Sequence, residues 1–248
     1  MNNKKTTTLL NLSLLSATIL ALSACSGGGG GGSPIAVAST SPATPTVSAT
    51  TDSRIQGNIR ALTSQGVARA NTTTTATTAV NKLVIDGKTI DFIPQGFTSN
   101  NINITANNQA RIGGSSNLAY TRYGYVKEGA SGTPYLFAQG QVTAAMPTTG
   151  TAVYIGNATH VVSDANTPRI TQHNARFNVD YGKKTVTGTI FAPTQVDLNA
   201  TISGNKFSGT STQGYRTDGH FYGNNAAELG GTYSSSTGNI SGAYGAKK

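Results

Sequence analysis

The sequence predicts an all-β protein: a small N-terminal β unit and then an eight-stranded antiparallel up-and-down β-barrel, both behind a disordered tether. Composition is the first ground for this. With 30 Gly, 10 Tyr, no Trp and only 11% charged residues, the chain has the profile of short strands and many turns. Periodicity is the second, because the C-terminal half repeatedly alternates apolar and polar residues in short runs separated by turn residues at hairpin spacing. The third is the start of the chain, where a leader and a Gly/Ser/Thr/Pro stretch precede any patterned segment.

Residues 1–24 read as an export signal. Lys4 and Lys5 form a positive n-region, Leu9 to Leu22 an apolar h-region too short for a membrane span, and Ser23 and Ala24 a small-residue cleavage site. Cys25, the single cysteine, follows directly. Leu, small, small, Cys resembles the bacterial lipobox, which makes Cys25 the site of lipid attachment and the acylated N-terminus, an anchor in the outer membrane. A lone cysteine has no partner for an intramolecular disulfide, which agrees with acylation.

Residues 25–78 follow as a flexible tether. Gly27 to Gly32 and the run containing Pro34, Pro42 and Pro45 hold too few large apolar residues to bury, and Thr72 to Thr78 extends the low-complexity character. Residues 79–145 begin with a hairpin, Leu83 to Ile85 and Ile90 to Ile93 around a turn at Asp86 and Gly87. Ile102 to Ala106, Leu118 to Lys127 and Tyr135 to Val142 extend this unit as a meander. Residues 146–248 hold the barrel: Ala152 to Thr159, Phe177 to Tyr181, Val186 to Ile190, Val196 to Ile202, Phe207 to Thr210, Gly219 to Gly223, Ala227 to Ser234 and Ile240 to Tyr244. These strands lack a continuous lipid-facing band with aromatic girdles, so a transmembrane barrel is excluded.

Charge bounds the partner. Losing Lys4 and Lys5 with the leader lowers the formal charge of +9 by two, to +7, so the mature chain favours anionic partners such as lipid headgroups, acidic glycans or acidic proteins. The arginines are dispersed and no nucleic-acid-binding signature accompanies them, which argues against nucleic acid. Tyr120, Arg122, Tyr123 and Tyr125 interleave cation and rings, and with His220 they are the candidate ligand-binding residues; the same alternation also fits a strand presenting every second residue to a core. His160, His173, His220 and the three tyrosines are the available haem ligands, but no cofactor is expected. No nucleophile elbow, metal-binding helix motif or P-loop is present; Ser211, His220 and Asp218 can be drawn as a hydrolytic set, but such local pairs arise readily in Ser/Asp-rich loops and the chain reads as a non-enzyme.

The segments Gly150 to Gly156, Phe177 to Tyr181 and Gly219 to Gly223 followed by Ala227 to Tyr233 resemble the C-terminal barrel of bacterial surface lipoproteins related to transferrin-binding protein B and factor H-binding protein. Tyr135 to Gln141 and Met146 to Gly150 are also similar to the wider group that includes the haem-carrying hemophilins. The resemblance implies that residues 79–145 are a handle-like domain packed on the barrel. It further implies a cell-surface lipoprotein exported by a Slam-type outer-membrane translocon, with a host protein or haem-containing ligand as partner and a role in colonisation, nutrient capture or immune evasion. Two other readings remain: haem or iron acquisition, and a structural lipoprotein facing the periplasm.

Overall fold

The protein is described by a computed structural model over residues 55–248, apart from 74–78, 86, 95, 98, 107 and 115–116. The leader, Cys25, the first part of the tether, and Asp86 of the expected hairpin turn lie outside the described residues. The described residues form one compact unit of strands with a single short 3-10 helix, Asn224–Ala226.

Eight strands close a barrel: β9 (Thr151–Val162), β10 (Arg169–Asp180), β11 (Thr185–Ile190), β12 (Val196–Ser203), β13 (Lys206–Thr210), β14 (Arg216–Tyr222), β15 (Glu228–Ser234) and β16 (Ile240–Lys247). Every neighbouring pair is antiparallel, and β9 completes the ring by pairing with both β10 and β16. Alternation in sequence becomes inside and outside here. Phe177, Phe207, Phe221, Tyr233 and Tyr244 fill the interior, while Asn178, Asn199 and Ser208 face solvent. Glycine makes room for the rings: a Cβ on Gly188 would stand 2.4 Å from Phe177, and one on Gly242 would stand 2.4 Å from Tyr233. Phe177 packs on Tyr244 at 4.6 Å between centroids, and Phe207 meets Phe221 edge-on at 5.3 Å, contacts worth about 0.5–1.5 kcal/mol each beyond area burial. The interior is filled with side chains, and the outward residues of β11 to β13 are mostly polar, while Val153 and Ile155 of β9 are exposed apolar residues.

A six-stranded antiparallel sheet lies against the outer wall, in the order β2 (Ala68–Thr73), β1 (Ile55–Leu62), β8 (Tyr135–Gln141), β7 (Thr121–Lys127), β6 (Gln109–Gly114) and β5 (Asn101–Ala106). One face packs Leu62, Tyr123, Tyr125, Leu136 and Ala138 with Val161 and Ala243 of the barrel. The other face buries Ile59, Val126 and Phe137 under a separate hairpin, β3 (Lys82–Ile85) and β4 (Lys88–Asp91), with Phe92 edge-on to Phe137 at 4.7 Å. Glu228 joins the two units through hydrogen bonds from the backbone N–H of Ala119 at 2.6 Å and Tyr120 at 3.0 Å.

Two expectations are corrected here. The tether does not extend to residue 78, because Ile55–Leu62 and Ala68–Thr73 are strands of the sheet. Both faces of β1 are covered, so it carries buried Asn58 and Arg60 among its apolar residues and lacks a simple period of two. The meander also has one more strand than expected, Gln109–Gly114, whose Gly113 and Gly114 lie against the backbone and ring of Tyr123.

Topology gives the barrel two distinct ends. At one, here the near end, are the turns after β10, β12 and β14 and the connection from β8 into β9; at the far end are the turns after β9, β11, β13 and β15. The sheet follows the same direction, since Ile55 pairs with Gln141 at the near end and Ala68 N–H donates to Gly238 O, 2.9 Å, at the far end.

Candidate functional site

Most of the sequence-derived candidates are inside the molecule. Arg122 is 9% exposed; its Nη1 donates to Leu118 O at 2.6 Å and Thr121 O at 2.7 Å, and its Nε donates to Asn81 Oδ1 at 2.8 Å. Burial lowers its pKa, partly offset by Glu228. Tyr123 and Tyr125 are buried in the contact between sheet and barrel, and burial raises both phenols, Tyr125 to about 12. Tyr120 is half-buried with its ring over Gly223, where a Cβ would be 2.3 Å away. Arg122, Tyr123 and Tyr125 are packed inside the fold because both faces of β7 are covered, which corrects their reading as an open binding stretch and matches the alternative of a strand feeding a core; Tyr120, just before the strand, keeps part of its surface exposed.

Two of the three histidines come together and the third stands apart. His160 points into the barrel, with Nδ1 2.6 Å from Tyr233 Oη and its ring edge-on to His173 at 5.6 Å. His220 lies on the opposite side of the wall, outside β14, 2% exposed and with neither ring nitrogen hydrogen-bonded. Burial depresses both, each to about 4; His173 adds to the effect on His160, and for His220 Lys206 lowers the value further while Asp218 opposes. His220 is closed off as a ligand-binding side chain. The hydrolytic set also separates, since Asp218 is engaged by Arg60 and Arg216 and Ser211 Oγ accepts the Tyr215 N–H. Among the described residues no group of three or more His, Cys, Asp or Glu is placed to hold a metal ion.

One hollow, of about 520 Å³, lies on the barrel's outer wall along Asn178, Thr187, Asp197, Asn199 and Thr210; two others lie at the far end, around the loop from Glu128 to Pro134. On one side is a hollow of about 410 Å³ with Lys88, Ile90 and Tyr135 in its wall; on the other is one of about 360 Å³ bounded by Ser64, Arg69 and Lys127. Gly132 and Thr133 belong to both. The loop is held closely, because a Cβ on Gly132 would stand 1.8 Å from Glu128 O, and Leu62 N–H donates to Pro134 O at 2.8 Å. Its tip carries only Gly129, Ala130, Ser131, Gly132 and Thr133, so a partner's backbone can approach it. Glu128 is paired with Arg111 at 2.7 Å, which leaves Arg69, Lys88 and Lys127 as cations facing the two hollows. The face therefore fits polar or acidic groups of a partner. Sequence reasoning missed it; the signal available was the small-residue run from Gly129 to Thr133 between two strands.

Comparison with known proteins agrees with the barrel. Residues 146–248 match the family model described as the C-lobe and N-lobe beta barrels of Tf-binding protein B. An uncharacterized protein of Haemophilus influenzae is 36% identical over 124 residues, 46% of this chain and 43% of that protein. Transferrin-binding protein B of Moraxella catarrhalis is 30% identical over 155 residues, 49% of this chain and 22% of its own length. Among solved structures, a mutant transferrin-binding protein B of Haemophilus parasuis Hp5 superposes with a TM-score of 0.61 at 28% identity, covering 78% of this chain and 45% of that one. This chain thus spans less than half the length of each of these relatives.

Proposed function

We propose that this chain, whose residues 146–248 form a barrel of the transferrin-binding protein B type, is a lipid-anchored outer-membrane protein that binds a host macromolecule at the far end of its fold. Cys25 carries the anchor and a Slam-type translocon delivers the protein to the cell surface, where it serves colonisation, nutrient capture or immune evasion. The observation carrying the binding site is the tightly held Glu128–Pro134 loop, small at its tip and flanked by two hollows that face Arg69, Lys88 and Lys127. A named relative binds transferrin, so a host protein of that kind is the first ligand to test. The reading is of a binding protein and not an enzyme, with no bound cofactor.

The test is capture of transferrin, and then of whole host serum, by the immobilised mature chain. Binding should fall at least tenfold in Ser131→Trp or in the double variant Arg69→Glu, Lys127→Glu, while the thermal melting point stays unchanged. Binding that survives both changes would overturn the placement of the site. Protection of the protein from protease added to intact cells would place it in the periplasm and sink the host-binding reading. A Soret band on adding hemin would instead support haem capture.

A further inference from the structure

The near end of the barrel is predominantly positive at its surface. Lys183 and Lys184 stand in the turn after β10, Lys206 opens β13 and Lys247 ends β16, and all four are exposed. Lys184, Lys206 and Lys247 have no ion pair among the described residues, while Lys183, with 81% of its side chain exposed, reaches Asp180 at 3.6 Å. The other carboxylate at this end, Glu228, is 3% exposed and turned toward Ala119 and Tyr120. The far end is mixed by contrast, with Asp164, Asp197 and Glu128 among Arg69, Lys127, Arg169 and Arg216.

The described chain begins at this same end. Ile55 pairs with Gln141; Gly223 N–H donates to Gln141 O at 2.8 Å; and Thr143 O accepts from Asn205 Nδ2 at 3.0 Å, in the turn that precedes Lys206. Ile202 N–H donates to Lys184 O at 2.8 Å, which sets the two lysine-bearing turns side by side. Only residues 26–54 separate Ile55 from Cys25, and they span at most about 100 Å.

We infer that the lysine-bearing near end is a docking surface for the phosphate headgroups of the anionic membrane to which the chain is tethered. The inference rests on the reading of Cys25 as the anchor. Screening confines such attraction to roughly 8 Å at physiological salt, so Lys183, Lys184, Lys206 and Lys247 act only when this end rests on the headgroups. Docked in that way, the barrel turns the Glu128–Pro134 loop away from the bilayer.

The test uses the mature chain with Cys25→Ser, made without its leader, and vesicles of phosphatidylcholine with or without phosphatidylglycerol. Sedimentation should show binding to the anionic vesicles alone, falling steeply as salt rises. Removing a lysine should weaken it about fivefold, so Lys183→Gln with Lys184→Gln lowers it on the order of twentyfold, and Arg69→Gln with Lys127→Gln leaves it unchanged. Equal binding to both vesicle types, no binding to either, or equal losses in the two double variants would overturn the proposal. Metabolic labelling with a radioactive fatty acid, compared with Cys25→Ala, checks the anchor separately. Label without vesicle binding overturns the docking surface, whereas vesicle binding without label overturns the anchor.

Discussion

Glu228 of the barrel accepts the backbone N–H of Ala119, in the bend that leads into β7, at 2.6 Å, and its second carboxylate oxygen takes the N–H of Tyr120 at 3.0 Å. The residue is 3% exposed, so removing the carboxylate leaves two backbone donors in a place water reaches poorly. A hydrogen bond to a charged acceptor contributes about 1.5–3 kcal/mol, and Glu228→Ala is expected to lose about 3 kcal/mol in urea unfolding. Glu228→Gln, which keeps one acceptor oxygen, should lose about half of that.

Arg60 and Asp218 make the second tie, Nη2 to Oδ2 at 3.7 Å, with the arginine side chain 5% and the aspartate 17% exposed. Asp218→Asn strands a buried guanidinium that keeps only its bond to Arg69 O, and the expected cost is about 3 kcal/mol. Lys82 and Asp91 lie closer, at 2.7 Å, but are 51% and 62% exposed; Lys82→Ala should change stability by less than about 0.5 kcal/mol. The contrast is read from paired urea titrations.

His160 and His220 predict an acid-labile fold. Each has its pKa lowered by burial from 6.5 to about 4, so between these values the unfolded chain binds protons that the folded one refuses. Stability is therefore full above pH 6.5 and declines as the pH falls toward 4, by on the order of 3 kcal/mol for each histidine. His220→Leu, which also removes two unpartnered ring nitrogens, should flatten that slope and be neutral or stabilising at pH 7. Urea midpoints measured across this range decide it.

Gly188 tests the packing of rings on glycine. A Cβ there falls 2.4 Å from Phe177, whose ring is held against Tyr244, so Gly188→Ala should cost about 1–3 kcal/mol. If the clash is the cause, Phe177→Leu in the same chain makes the alanine nearly free, which a double-mutant cycle detects.

The barrel was legible where its strands have one face inside and one in water, as β11 to β13 do, because period-two alternation records that asymmetry; Val196, Leu198, Ala200 and Ile202 are all buried between exposed or half-buried neighbours, whereas β15 is buried on both faces under the sheet. Strands covered on both sides lose the record. β1 buries Ile55, Asn58, Ile59 and Arg60 together, and it was read as tether. The same loss made Tyr123 and Tyr125 look like a binding stretch, when the barrel covers one side of β7 and the β3–β4 hairpin the other. The far-end loop was hard to find for the opposite reason: its use depends on Gly129 to Thr133 being small, and small residues carry no chemical signature.

Closure of the ring by β16 against β9 also sets an order in time. β9 is the first barrel strand in the chain and β16 the last, so the seam between Ile240 and Val162 forms only after every intervening hairpin has been delivered. Until then β9 and β15 each present an unpaired edge of backbone donors and acceptors, which adheres readily to other strands. A chain made from its N-terminus thus keeps an open seam until its last barrel strand arrives, and its escape from aggregation depends on how quickly Ile240–Lys247 follows the rest.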